Sequence, residues 1–114
     1  MAFDEALAER VRLLLADVDE YREQQMFGGI AFMVSGHMAC GILGEELIVR
    51  LGPQAAAEAL DQPHARPFDF TGRPSRTTVL VGPGALEGDG LDSWIAAATR
   101  FVATLPPKRR RQRG

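Results

Sequence analysis

Apolar residues recur every three or four positions at the start of the chain. Leu7, Val11, Leu14, Leu15 and Val18 share one face, with Glu5, Glu9, Arg12 and Asp19 around it. This period predicts an amphipathic helix over Phe3–Tyr21, and Asp4 and Glu5 suit its positive N-terminal end. From Gln25 the rhythm changes. Ile30–Val34, His37–Leu43 and Glu46–Leu51 are strand-length apolar runs separated only by Ser35-Gly36 and Gly44-Glu45. Such tight connections predict an antiparallel meander, because parallel strands need long crossovers. Gly52 closes the third strand, and Pro53 is placed to open a short helix through Leu60.

Pro63, Pro67 and Pro74 forbid a long helix in the next stretch. Phe68-Asp69-Phe70 alternates, which predicts a short strand with both rings inward and Asp69 outward. Thr77–Val81 is a β-branched strand. After a glycine-rich loop, Asp89 is placed to cap a last helix over Leu91–Leu105, whose apolar face includes Leu91, Trp94, Ile95, Ala98, Phe101 and Val102. The predicted order is α-β-β-β-α-β-β-α, an α+β domain on an antiparallel sheet. It forms one domain over residues 1–107, followed by a basic tail, 108–114, whose composition predicts disorder. Along the first strand Ile30, Phe32 and Val34 share a face, but Ala31 and Met33 on the other face are apolar too. Both sheet faces are therefore expected to be covered, one by helices and one by a second copy, as in a homodimer.

Composition adds limits. With 114 residues, 46% hydrophobic and 25% charged, the chain is long enough for one soluble globular domain with its own core. No apolar run approaches the roughly 18–20 residues that span a bilayer. The acidic, amphipathic start is unlike a signal peptide, and a single cysteine suits a reducing cytoplasm. The net charge of −2 is unevenly spread: Lys108, Arg109, Arg110, Arg111 and Arg113 put five positive charges in the tail, leaving −7 on the rest. An acidic body is not that of a general nucleic-acid binder. The tail either adds non-specific, salt-sensitive affinity for nucleic acid or is a solvated terminus.

Reactive constellations are scarce. His37 and Cys40 are three residues apart in a strand, so they are expected on opposite faces, with Cys40 beside Met38 and Ile42 as a buried hydrophobe. One cysteine and two histidines do not assemble a zinc site, and no cofactor or metal is implied. GPGALEGDG lacks the order of a phosphate loop, and Glu87 and Asp89 would repel an anion. Gly28-Gly29 predicts a bulge or a close backbone approach. The richest polar stretch is HARPFDFTGRPSR, where Arg66, Arg73 and Arg76 are candidates for an anion- or partner-recognition surface with Asp69. In the structural alternative, Asp69 ties down one of these arginines and orders the loop. A catalytic Asp69 with His64 lacks an oriented nucleophile.

The phrases MFGGIAFMVSGHMACGI at Met26–Ile42, LIVRLGP at Leu47–Pro53, PHARPFDFTGRP at Pro63–Pro74 and TLPPK at Thr104–Lys108 resemble the N-terminal domain of the TfoX/Sxy family of bacterial competence regulators. The resemblance implies an α+β fold similar to the type III secretion chaperone architecture, and supplies no catalytic residues. Family members often continue after GRP with a Met-Lys/Arg-Gly-aromatic stretch, where this chain has Ser75-Arg76-Thr77-Thr78. Full-length regulators of the family add a C-terminal helical domain, so the chain is similar to their N-terminal domain standing alone. The expected function is a non-enzymatic, cytoplasmic interaction module with a protein partner. A nucleic-acid-associated regulator using the tail, and a small-ligand binder or enzyme using Arg66–Arg76, are the alternatives.

Overall fold

Asp4 starts the first helix: its Oδ1 accepts the Leu7 N–H at 3.1 Å, the bond expected of a capping carboxylate. Helix α1 runs over Glu5–Leu14 and buries Leu7, Ala8 and Val11, with Leu15 buried just beyond its end. It stops well before Tyr21. Val18 still packs against the core, but from a turn whose Val18 N–H bonds the Leu15 carbonyl, and Glu20 takes a φ of 56° as the chain reverses. The computed structural model describes residues 3–106 apart from 19, 27, 70, 71 and 73.

After α1 comes a strand that the hydrophobic pattern does not announce. Strand β1, Tyr21–Met26, pairs residue for residue with β2, Gly29–Val34. Its Arg22, Glu23, Gln24 and Gln25 are exposed, as suits the outer strand of a sheet. Strand β3, His37–Leu43, and β4, Glu46–Arg50, complete the meander. Ser35 and Gly36 between β2 and β3 have φ of 52° and 85°, the left-handed pair that a two-residue hairpin requires. Helix α2, Pro53–Ala59, leads to the short edge strand β5, Ala65–Pro67. Strand β6, Thr78–Val81, then inserts between β4 and β5, giving the antiparallel order β1-β2-β3-β4-β6-β5. After a 3-10 turn at Pro83–Ala85, helix α3, Asp89–Val102, closes the fold. The architecture is α+β, as the sequence predicts, with one more strand.

Helices α1, α2 and α3 share one core with one face of the sheet. Leu7, Val11 and Leu15 meet Ile95, Ala98 and Val102, and beneath them lie Phe32, Ile42, Leu47, Val49, Val79 and Val81. Burial of these side chains, roughly 1.5–3 kcal/mol for each large one, drives the layers together. Gly29 permits the tight strand spacing: a Cβ there would lie 2.1 Å from the Ile42 carbonyl oxygen. The expected close backbone approach in MFGG is therefore real.

Two local expectations are corrected. Asp89 does not cap α3; the cap position is Gly88, at φ 56°, and Asp89 is the first helical residue. In β3, a register shift opposite Phe32 and Met33 pairs Cys40 with Phe32 but Met38 with Met33. Ala39 is the extra residue, so Met38 leaves the face that Cys40 shares with Ile42. The same shift returns His37, paired with Val34, to the helix side. There its ring meets the chain leaving α3, with Nε2 2.7 Å from the Pro106 carbonyl oxygen.

On the opposite sheet face Ala31, Ile48 and Leu80 are buried yet lie outside the main core cluster. Ile48 lies over Gly41, where a Cβ would come within 3.4 Å of its Cδ1. Among the described residues no helix is long and apolar enough to cross a membrane.

Candidate functional site

The polar segment singled out in the sequence begins at His64, whose carbonyl accepts the Gly82 N–H at 2.8 Å. Its imidazole lies against Gly84, where a Cβ would be 2.5 Å from Cε1. His64 thus packs on the turn after β6. Two residues on, Arg66 projects from β5 and reaches across β6 to Glu46 of β4. Nε donates to Oε2 at 3.1 Å and an Nη donates to Oε1 at 2.5 Å, a two-pronged ion pair. Glu46 raises the Arg66 pKa above its ordinary value, and Asp69 adds to this at longer range. The carboxylate that holds Arg66 is therefore Glu46.

Asp69 itself is exposed, and the proposed strand Phe68–Phe70 does not form over its described residues. The segment is a loop instead, closed by the Gly72 N–H on the Asp69 carbonyl at 2.8 Å and the Ser75 N–H on the Phe68 carbonyl at 2.9 Å. Gly72 sits at φ 89°, a conformation that a side chain would strain. Phe68 is half-buried; Phe70 and Arg73 lie outside the described residues.

Arg76 belongs to different surroundings. It is exposed beside helix α2, where Pro53, Ala57, Leu60, Pro74, Ser75 and Arg76 line an open depression of about 490 Å³. Arg76 makes no ion pair with the described residues. Below it, Ser75 Oγ accepts the Thr77 N–H at 3.2 Å, and Thr77 Oγ1 lies 3.2 Å from Thr78 Oγ1. The Thr77 carbonyl accepts the N–H groups of Leu51 and Gly52, which fixes this segment to the start of α2. The structure separates the three described candidates: Arg66 is engaged by Glu46, Asp69 closes a loop, and Arg76 joins α2.

Leu60 is the residue that sequence reasoning missed. It follows Ala56 and Ala59, both buried, yet is 39% exposed. Its spacing from Ala56 alone would have placed it inside.

The remaining reactive groups are held by the fold. Cys40 is fully buried, and loss of hydration pushes its thiol up to about 12, far from a nucleophilic thiolate. Among the described residues, no group of three or more His, Cys, Asp or Glu is placed to hold a metal ion. The tail residues Lys108, Arg109, Arg110, Arg111 and Arg113 lie outside the described residues, beyond the point where His37 meets Pro106.

Compared with known families, residues 13–102 match the model of the TfoX N-terminal domain. The chain belongs to this family. No curated protein and no solved structure matches it. The TfoX N-terminal domain match takes in all six strands together with α2 and α3. The ion pair of Arg66 and the depression at Leu60 and Arg76 thus lie within the family's domain, whereas the basic tail lies after the matched span.

Proposed function

We propose that this TfoX N-terminal domain is a non-enzymatic, cytoplasmic interaction module that binds a protein partner in a regulatory setting. One observation carries the reading: Leu60 remains 39% exposed at the end of α2, in the same depression as an arginine with no ion-pair partner among the described residues. An apolar side chain beside an unengaged cation is the composition of a small protein-binding surface, where an aliphatic anchor supplies area and an arginine supplies orientation. The engagement of Arg66 by Glu46 and the sealing of Cys40 agree with a scaffold rather than a reaction centre.

The test is cross-linking in cells with a photoreactive residue at position 60, compared with one at the exposed Glu9. A defined protein adduct specific to position 60 is the expected result. Identical, diffuse labelling from both positions would refute the reading. Binding to nucleic acid that weakens steeply with salt and disappears when Lys108–Arg113 is deleted would favour the nucleic-acid alternative.

A further inference from the structure

We infer that the depression between α2 and the Pro74–Arg76 segment receives an acidic-aliphatic peptide: one branched apolar side chain next to one carboxylate. The inference rests on the interaction-module reading and names the chemistry of its partner.

Two features of the depression fix that chemistry. Its walls are apolar, with Pro53, Ala57, Leu60 and Pro74 offering no charge, so a buried polar group would go unsatisfied against them. The same lining includes Arg76 and Ser75, neighbours in sequence. The Arg76 guanidinium supplies donors to a carboxylate, while the Ser75 hydroxyl is engaged at Thr77. An apolar lining with one unpaired cation therefore selects a ligand that is apolar at one end and anionic at the other.

The charge beside the hollow supports the same occupant, although the chain outside the tail carries −7. Three arginines elsewhere are engaged within the fold. Arg12 pairs with Glu9 and Glu23, Arg66 pairs with Glu46, and Arg50 reaches the Met38 carbonyl and the Phe101 ring. Arg76, like Arg22 and Arg100, has no ion pair or side-chain hydrogen bond to the described residues, but it lines an apolar hollow. A basic peptide would meet this cation unfavourably, and a purely apolar one would leave it at the edge of a desolvated contact.

Shape decides between a peptide and a free small molecule. The volume, about 490 Å³, falls within the ~300–1,000 Å³ of small-molecule sites. Such sites, however, enclose most of their ligand, whereas this one lies open along α2. An open hollow gains most from a side chain that a larger partner delivers and holds in place.

The proposal is tested by selecting randomised twelve-residue peptides on the intact protein, then measuring each enriched peptide against the wild type, Arg76→Gln and Leu60→Ser. Both side chains are exposed, and unchanged thermal unfolding of the variants verifies their folding. Enriched sequences should pair Asp or Glu with Leu, Ile or Val within two positions. Arg76→Gln should weaken them about tenfold, and changing the peptide's acid to its amide should weaken them equally on the wild type but little on Arg76→Gln. Leu60→Ser should cost several-fold. Enriched peptides that lack a carboxylate, or that bind both variants as tightly as the wild type, would overturn this inference and leave the interaction module standing. Failure to enrich any peptide, together with diffuse labelling from position 60, would overturn both.

Discussion

Arg12 of α1 grips Glu23 of β1 with both arms of its guanidinium, Nε to Oε2 at 2.7 Å and Nη2 to Oε1 at 3.0 Å. The Tyr21 hydroxyl donates to the same carboxylate, and the Tyr21 ring stacks on Phe32 with centroids 6.3 Å apart. A strand with little apolar content is thereby fastened to the helix layer by charge. Removing Arg12 should loosen it. Arg12→Ala is expected to cost about 1 kcal/mol in urea unfolding, because the pair is two-pronged but partly exposed. A change in that range confined to the variant, with Arg10→Ala near neutral, is the expected pattern.

Acid should act on the same link. The hydrogen bonds and charge of Arg12 hold the Glu23 carboxyl below its ordinary value in the folded chain. Its contribution is therefore present above the unfolded carboxylate range and is lost as pH falls through the folded value. Glu23→Gln should be less stable than the wild type at neutral pH, and the gap should close on acidification. Unfolding curves between neutral pH and about pH 3 measure it; a gap that widens with acid contradicts the assignment.

Tyr21 is the chain's single tyrosine, which makes its ionisation directly visible. Burial, and then the hydrogen bond and charge of Glu23, raise its pKa above the ordinary value of 10.0. The phenol thus contributes stability that is complete below the unfolded pKa and is lost as pH rises toward the folded one. Phenolate absorbance should appear at higher pH in the native protein than in urea. Coincident titrations would show that the ring is free.

Cys40 should resist modification. Burial places its thiol near 12, so an aromatic disulfide reagent in mildly alkaline buffer should react at the rate of global opening, and rapidly in denaturant. Fast, stoichiometric reaction of the folded chain would contradict its place beneath α3.

The adjacent glycines of the first hairpin should behave differently. At Gly29 an added methyl collides with the Ile42 carbonyl at 2.1 Å, so Gly29→Ala must part β2 from β3, at a cost of about 2–4 kcal/mol. At Gly28 the space is open and only the φ of 80° opposes a side chain, so Gly28→Ala should cost about 1 kcal/mol. Equal losses in urea unfolding would show that the strand spacing does not depend on Gly29.

Features set by neighbours in sequence were legible before the structure. Ser35-Gly36 specified its hairpin, the Ile30–Val34 run its strand, and the 3.6-residue period from Leu91 the last helix. The family resemblance was legible too, and the match over residues 13–102 bears it out. Features set by pairing across the sheet were hidden. Tyr21–Met26 is mostly polar and becomes a strand only because β2 offers it a partner. The bulge at Ala39 turns Met38 from the core through a register shift that alternation cannot reveal. Arg66 finds Glu46 because β6 inserts between their strands, which brings together residues twenty positions apart. The sequence bounded a short helix at Leu60 without assigning its faces; α2 packs through the small side chains of Ala56 and Ala59 and leaves Leu60 outside.

The two margins of the sheet have a collective consequence. One is a run of charged and amide side chains, Arg22–Gln25, and the other is three residues long and ends in Pro67, which has no N–H to donate. Neither margin is a ready template for another strand, so the sheet terminates itself at both sides. Contacts of this domain with other molecules, its own copies included, are thereby directed onto its broad faces. Selectivity then depends on shape and charge there, and not on the indiscriminate chemistry of free peptide groups.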